Sequence, residues 1–165
     1  MKHYGFQPEE HRGYLIGHER IADMEDELRV LHDEHFQETE TLYLDAPFDP
    51  DYARYKNSEA AHQFIVFTVR HSSGKMVGYL QYYVFRDMHS QGMYTAREDA
   101  FFLSKDHRGA GLASHLLRFA EHCLKQLGCA YIGMSSKAPV GGPDIGKFLE
   151  RKGYRPVALY YSKKL

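Results

Sequence analysis

The chain has few of the features that mark secreted or membrane-bound proteins. Its 165 residues include two cysteines, Cys123 and Cys129. Two cysteines are too few for a disulfide-stapled domain or a four-cysteine zinc site, and we expect both to be buried thiols. No apolar run approaches the ~18 residues of a membrane-spanning helix, and the opening MKHYGFQPEE lacks the apolar core of a signal peptide. We therefore expect a cytoplasmic protein with no membrane partner.

The sequence also lacks internal repeats, low-complexity segments and linkers. A chain of 165 residues with 43% hydrophobic and 26% charged residues has the composition of an ordinary globular protein. That length is enough for one domain with a substantial core. We predict a single domain over residues 1–165.

The net charge is −1, but the charges are unevenly distributed. Residues 1–100 carry 10 Lys and Arg against 18 Asp and Glu, whereas residues 101–165 carry 11 against 4. A basic half favours a phosphate-bearing ligand and an acidic half favours a cationic one. The acidic half argues against a nucleic-acid partner. The alternative interpretation is that these charges only cover solvated surfaces.

Hydrophobic periodicity predicts an alternation of helices and strands. Apolar residues at helical spacing predict helices at 19–37, 52–58, 113–128 and 144–152. Apolar and β-branched runs bounded by turn residues predict strands at 63–71, 76–87, 93–103, 129–135 and 154–164. Short turns join the first three strands, which we expect to be antiparallel. The fold class is α/β (α+β), with helices flanking a central sheet.

The segment HRGAGLA, residues 107–113, lies between the third predicted strand and the helix that follows it. Gly109 and Gly111 remove side chains where a helix presents free N–H groups and the positive end of its dipole, so an anion could lie against the backbone. Arg108 adds a charged donor. The Gly-Lys-Ser/Thr of the phosphate loop and the third glycine of the dinucleotide fingerprint are both absent. A plain tight turn remains the alternative.

Arg108-Gly-Ala-Gly111-Leu-Ala113 resembles the Arg/Gln-x-x-Gly-x-Gly/Ala motif of the GNAT superfamily of acyl-CoA N-acyltransferases. The element order over 63–164 resembles that of the family, and the segment 19–58 resembles its first two helices. The resemblance implies a mixed, mostly antiparallel central sheet with a splayed acyl-CoA slot. It also implies acetyl-CoA as cosubstrate and transfer of its acetyl group to a primary amine.

The resemblance carries over to individual residues of the cofactor site. The expected pyrophosphate-binding residues are Arg108, Gly109, Ala110, Gly111, Leu112 and Ala113. The pantetheine arm is expected along Phe102, Leu103 and Ser104, in a slot opened by splaying 130–135 away from that strand. The backbone N–H of Leu103 would then polarise the thioester carbonyl, an interaction worth ~3 kcal/mol in a well-placed oxyanion site.

Two carboxylates precede the motif. Glu98 and Asp99 lie where the family often keeps a catalytic carboxylate. A base is useful because an alkylammonium has a pKa near ~10 and must lose a proton before it attacks. Successive strand residues face opposite sides, so one of the two is expected to point at the substrate, and we prefer Glu98. A structural ion pair is the alternative for each.

The sequence departs from the family pattern in two places. Leu149 occupies the position of the usual tyrosine within 148–154, and SSKAPVGGPD replaces a common asparagine after the splayed strand. The identity of the general acid is therefore left open. The candidates are Tyr131, Ser135, Tyr160 and Tyr161. A thiol pKa near ~8.5 makes a dedicated acid dispensable.

The resemblance places the acceptor beside ETETLYLDAPFDPDY, residues 38–52, where we expect Asp45 and Asp49 to bind substrate. Carboxylates there favour a cationic acceptor such as a polyamine, an aminoglycoside, or a protein lysine or N-terminus. His32 and His35 share a helical face without an evident third ligand, so we predict no metal. The alternatives are a non-catalytic acyl-CoA sensor and a toxin-like enzyme acting on aminoacyl-tRNA. A homodimer remains open.

Overall fold

The computed structural model describes residues 5–42, 44–109, 111–137, 141 and 144–164. The helices of this part of the chain are α1 (Ile21–Thr39), α2 (Tyr52–Ala60), α3 (Leu112–Gln126) and α4 (Gly146–Arg151). The strands are β1 (Glu9–His11), β2 (Tyr14–His18), β3 (Phe64–His71), β4 (Met76–Arg86), β5 (Tyr94–Leu103) and β6 (Cys129–Gly133). Among these helices, none is long and apolar enough to cross a membrane.

The six strands form one sheet in the order β1-β2-β3-β4-β5-β6. Every neighbouring pair is antiparallel except β5 and β6, which are parallel because α3 carries the chain across between them. The predicted mixed, mostly antiparallel sheet with flanking helices is confirmed.

The strands bury both faces, because alternate side chains point to opposite sides of the sheet. One face packs against α3 and includes the buried side chains Leu80, Tyr82, Ala96, Leu103, Leu116, Leu117, Phe119 and Leu124. The opposite face packs against α1 and α2 and includes Ile21, Met24, Leu28, Tyr52, Phe64, Tyr79 and Phe102. The site residues of β5 therefore stand on a sheet that is fixed from both sides.

The sequence analysis missed the hairpin of β1 and β2. Its two-residue turn consists of Arg12 (φ 51°) and Gly13 (φ 80°), both in the left-handed region that a tight hairpin turn requires. β1 is three residues long, and so short a strand gives almost no alternation of polar and apolar residues.

The prediction of a closing strand at 154–164 is wrong. These residues form no helix or strand, and Val157 and Tyr160 are 94% and 92% exposed. The Tyr154 hydroxyl donates to Glu121 Oε1 at 2.9 Å, and Lys164 Nζ lies 2.5 Å from Asp45 Oδ2. Apolar, aromatic composition gives a segment the propensity to pair but does not supply a partner strand, and Pro156 has no N–H to donate.

β4 and β5 approach each other closely at Gly78, opposite Leu103. A Cβ at Gly78 would contact the Phe102 carbonyl oxygen at 2.8 Å and collide with Leu103 Cδ2. We expect Gly78→Ala to reduce the free energy of unfolding by about 1–3 kcal/mol, because the backbone oxygen cannot move aside without disturbing the strand pair. Urea unfolding measures the effect.

Gly133→Ala is the matched control for this substitution. Its added Cβ would have its nearest neighbour, the Ala96 carbonyl oxygen, at 3.9 Å, an ordinary contact. We expect a change within about 0.5 kcal/mol. Equal destabilisation by the two substitutions would contradict the steric explanation for Gly78.

Candidate functional site

The sheet splits between β5 and β6. The two strands pair from Tyr94 and Cys129 as far as Arg97 and Gly133. Beyond this point β5 continues to Leu103 paired with β4 but no longer with β6. Ser104 N donates to Val77 O at 2.9 Å, so hydrogen-bonded positions alternate back along β5 from Ser104. By this alternation, the N–H groups of Phe101 and Leu103 point away from β4, toward the side on which the described residues provide no strand.

A β-bulge lies at the point where the strands separate. Ala100 is opposite Gln81 and Glu98 is opposite Tyr82, so Asp99 is the extra residue. Glu98 and Asp99 are successive strand residues and make their contacts on different sides. Glu98 Oε2 accepts hydrogen bonds from Ser135 N (3.1 Å) and Ser135 Oγ (2.7 Å), across the split. Asp99 Oδ2 accepts one from the Tyr55 hydroxyl of α2 at 3.2 Å.

Asp99 is exposed and Glu98 is half-buried, and the surrounding protein removes part of the water from each carboxylate. Desolvation raises the pKa of Asp99 to about 6, against the opposing effect of the Tyr55 hydrogen bond. Desolvation also raises the pKa of Glu98, which the two Ser135 hydrogen bonds oppose. A carboxyl group that titrates near neutrality accepts a proton more readily than an ordinary aspartate does.

The gap between β5 and β6 forms a slot, and the carboxylates of Glu98 and Asp99 lie at one end of it. Two charged side chains that the sequence analysis did not single out, Glu40 and Lys137, also act at this end. Lys137 Nζ lies 3.8 Å from Glu40 Oε1. The charge of Glu40 raises the pKa of Asp99 and that of Lys137 lowers it, so both act on this carboxylate. Glu40 belongs to the acidic segment noted in the sequence. Nothing in the sequence indicates that Tyr55 would contact Asp99 or that the charge of Lys137 would act on it.

Leu103 lies far from these carboxylates. It is four residues from Asp99 and five from Glu98 along an extended strand, which corresponds to roughly 13–17 Å. A thioester carbonyl bonded to the N–H of Leu103 would therefore place the attacking amine farther from both carboxylates than one bonded closer to the bulge. Phe101 exposes its N–H on the same side and is only two residues from Asp99.

The other end of the slot is the start of α3. Gly109 (φ 111°) and Gly111 (φ 77°) have left-handed backbones, and an added Cβ at either would meet no atom within 4 Å. Gly111 is the N-cap of α3 and no side chain caps the helix, whose first turn has no acidic residue. The first N–H groups of a helix lack intrahelical partners, so this end is suited to an anion. Ala110, expected in the same loop, lies outside the described residues; Leu112 and Ala113 form the first turn.

Arg108 is held by neighbouring groups. Its Nε donates to the Leu103 carbonyl at 2.8 Å, and its two terminal nitrogens donate to Glu38 of α1 at 2.8 and 2.7 Å. This pairing lowers the pKa of Glu38. The Ser104 hydroxyl donates to Glu34 Oε2 at 2.9 Å. The loop expected to bind phosphate is therefore tied to α1.

The structure also shows the surroundings of other residues noted in the sequence. Asp45 is 87% exposed and ion-paired with Lys164, and Asp49 is also exposed. His32 donates to or accepts from Tyr52 and Gln81, at 2.9 and 3.1 Å, and burial lowers its pKa to about 4. Within the described part of the chain, no group of three His, Cys, Asp or Glu residues could hold a metal ion.

The candidates for a general acid are also dispersed. The Ser135 hydroxyl donates to Glu98. Leu149, at the position of the family's tyrosine, is buried in the core beside α3. The remaining candidates are exposed tyrosines, namely Tyr131, Tyr160 and Tyr161.

Comparison with solved structures identifies similar folds. The chain resembles an aminoglycoside acetyltransferase from an uncultured soil metagenomic sample, with a TM-score of 0.72, 19% identity, and 92% of this chain and 98% of the other covered. It resembles glucosamine-6-phosphate N-acetyltransferase from Arabidopsis thaliana, with a TM-score of 0.68, 14% identity, and coverage of 92% and 97%. It also resembles ribosomal-protein-alanine N-acetyltransferase from Brucella melitensis biovar Abortus 2308, with a TM-score of 0.66, 17% identity, and coverage of 91% and 99%.

A search of curated protein sequences finds no match. The family model described as acetyltransferase (GNAT) family matches residues 23–139, which include most of α1, the bulge at Asp99 and the loop of Gly109 and Gly111, here called the glycine loop. This match spans well over half of the chain. The chain therefore belongs to the acetyltransferase (GNAT) family, whose members are acyl-CoA-dependent N-acetyltransferases.

Proposed function

We propose that this protein transfers the acetyl group of acetyl-CoA to a cationic primary amine. The observation that carries the proposal is the split between β5 and β6. It has outward-facing N–H groups along one wall, carboxylates at one end and an uncapped helix terminus at the other.

The residues fit acetyl-CoA in this orientation. Gly109 and Gly111 leave the backbone open beside the start of α3, where the pyrophosphate would bind to the N–H groups of Gly111 and Ala113, while the N–H of Leu112 donates to the Gly109 carbonyl at 3.0 Å. Leu103 would bind the pantetheine arm through its N–H group, as an added strand binds a sheet edge. Arg108 would act mainly by holding the loop to α1, since Glu38 and the Leu103 carbonyl already occupy it.

The N–H of Phe101 is assigned to the thioester carbonyl in place of that of Leu103. It points to the open side of β5 and is the nearer of the two to Asp99, at roughly 7 Å along the strand. A backbone donor aimed at the carbonyl oxygen stabilises the negative charge that develops there during attack.

Asp99 is assigned as the general base. Its pKa of about 6 lets it take a proton from the incoming amine near neutral pH, directly or through one water. Glu98 has its Oε2 committed to Ser135, so its assigned role is to fix the opposite wall of the slot. The amine then attacks the carbonyl carbon, its nitrogen gives its second proton to water as the amide forms, and the carbon–sulfur bond breaks to release the coenzyme A thiolate. Its conjugate thiol pKa of ~8.5 makes protonation by water sufficient.

The acceptor class follows from the charges at this end of the slot. Glu40, Glu98 and Asp99 are three carboxylates against one lysine, Lys137. Their field favours an acceptor with several positive charges over a neutral or anionic one. A structurally similar aminoglycoside acetyltransferase has been solved in complex with sisomicin, which makes this polyamine a suitable first probe.

Thiol release from acetyl-CoA tests the proposal, with sisomicin, spermidine and an alanine-initiated peptide as acceptors. We expect turnover with at least one cationic amine and none with glutamate. Stabilisation of the fold by acetyl-CoA without thiol release from any acceptor would contradict the proposal and indicate a non-catalytic binder.

Glu40→Gln is expected to raise the KM of the best cationic acceptor by up to about fivefold and to leave the KM of acetyl-CoA nearly unchanged. The reason is that a partly solvated charge contributes at most about 1 kcal/mol to holding another. Asp45→Asn is the control, because Asp45 is exposed and paired with Lys164. A larger KM effect from Asp45→Asn would instead support the assignment made from the sequence.

A further inference from the structure

The proposed acceptor end of the slot contains a primary amine of the chain itself. Lys137 follows Ser135 by two residues, and Ser135 bonds to the Glu98 carboxylate through both its N–H and its hydroxyl. Lys137 Nζ lies 3.8 Å from Glu40 Oε1, and the side chain is 36% exposed. The amine is therefore partly enclosed on the wall that faces β5.

The same carboxylates that would attract an external amine act on Lys137. Besides its ion pair with Glu40, its positive charge lowers the pKa of both Glu98 and Asp99, against the larger effect of burial. The Lys137 ammonium thus lies within the field of all three carboxylates. An incoming cationic acceptor would have to share them with it.

We infer that Lys137 is a self-acetylation site of this protein. The inference rests on the proposed function, because it uses the same slot, the same base and acetyl-CoA. Lys137 loses a proton to Asp99, and its neutral Nζ attacks the thioester carbonyl carbon. A carbon–nitrogen bond forms and the carbon–sulfur bond breaks. The attacking nitrogen loses its second proton as the amide forms, and this proton passes through water to the thiolate. The products are Nε-acetyl-Lys137 and coenzyme A, and Asp99 returns the first proton to solvent.

Tethering favours this reaction in the absence of an acceptor. An amine held by its own backbone next to the slot has a high effective concentration at the thioester. Acetylation removes the positive charge of Lys137 and leaves Glu40 without this ion pair. The modified protein keeps all three carboxylates and loses the internal cation that competes for them.

Lys105 provides a matched internal control. Its Nζ lies 4.0 Å from Glu38 Oε2, so it is also near a carboxylate of the α1 region, but its side chain is 75% exposed. Non-enzymatic acetylation by acetyl-CoA would therefore modify Lys105 at least as fast as Lys137. Acetylation in the slot would favour Lys137.

The experiment incubates the purified full chain with acetyl-CoA alone and measures acetylation of each lysine by peptide mass spectrometry over time. We expect Lys137 to be acetylated at least tenfold faster than Lys105. Its rate constant should be unchanged on tenfold dilution of the protein, since the reaction is intramolecular. Asp99→Asn should slow acetylation of Lys137 and leave that of Lys105 unchanged.

Thiol release with sisomicin and spermidine, measured in parallel, separates the two proposals. Turnover of either amine with equal acetylation of Lys137 and Lys105 would overturn the self-acetylation site and leave the proposed function intact. A rate constant that falls on dilution would also overturn it, because the transfer would then pass between molecules. No thiol release under any condition would overturn both.

Discussion

Replacing Asp99 by asparagine is expected to lower kcat for amine acetylation by about 10²–10⁴-fold, the usual contribution of a positioned general base. The KM of acetyl-CoA should change little, because Asp99 contacts Tyr55 on the side of α2 and not the start of α3. Steady-state kinetics with the best acceptor amine measures both parameters.

The pH dependence provides a second readout. With a pKa of about 6, Asp99 is protonated at lower pH and cannot accept a proton, so kcat of the unmodified enzyme should fall below about pH 6. This acidic limb should be absent in Asp99→Asn. Glu98→Gln is the control. Its amide oxygen can still accept from Ser135, so we expect a smaller loss of kcat and an unchanged limb. The opposite pattern would assign the base to Glu98.

Asp99→Asn should not destabilise the fold at neutral pH. Folding raises the pKa of Asp99 above its ordinary value of 3.8, so the folded protein binds the proton more tightly than the unfolded chain. The resulting contribution to stability is present at low pH and is lost as the pH rises from about 4 to 6. Asparagine is uncharged at pH 7, so the variant should be folded there. A variant that loses activity because it unfolds would contradict this explanation.

Gly111→Asp is expected to abolish stabilisation by acetyl-CoA. At about 100 times its dissociation constant, a ligand that binds only the folded state stabilises it by about 2.7 kcal/mol. The aspartate would add a side chain and a negative charge at the N-cap of α3, where the phosphates are expected. An added Cβ meets no atom within 4 Å, so the protein should still fold. Thermal unfolding with and without acetyl-CoA measures the difference.

Gly128→Asp is the control for backbone strain. Gly128 follows the other end of α3, has a φ of 87°, and likewise has no atom within 4 Å of an added Cβ. Both variants place aspartate in a left-handed backbone, so both should lose some intrinsic stability. Only Gly111→Asp should lose the response to acetyl-CoA. Equal responses in the two variants would contradict the assignment of the glycine loop.

Local patterns predicted the parts of the fold that local physics determines. Apolar and β-branched runs bounded by turn residues located β3, β4 and β5, and a helical apolar stripe located α3, to within a few residues. The closing strand failed because pairing depends on a partner edge. The hairpin of β1 and β2 was missed because three residues show too little alternation to be recognised.

Local sequence patterns predicted less of the candidate site than of the fold. Glycines before a helix predicted the position of the loop, and the pair of acidic residues predicted where to look for a base. The bulge at Asp99 depends on the register between β4 and β5, which no local pattern specifies. The contacts of Tyr55 with Asp99 and of Arg108 with Glu38 join residues 44 and 70 positions apart. Such contacts follow from tertiary packing alone.

The split between β5 and β6 also makes local stability uneven across the molecule. β3 and β4 pair along most of their length with buried side chains on both faces, so opening them requires nearly global unfolding. β6 is attached to β5 only from Tyr94 to Arg97, and α4 adds Leu149 as its buried residue among those described. The C-terminal wall of the slot therefore opens at a lower free-energy cost than the wall formed by β4 and β5. An acetylated product too bulky to leave along the slot would depart by transient opening on the β6 side.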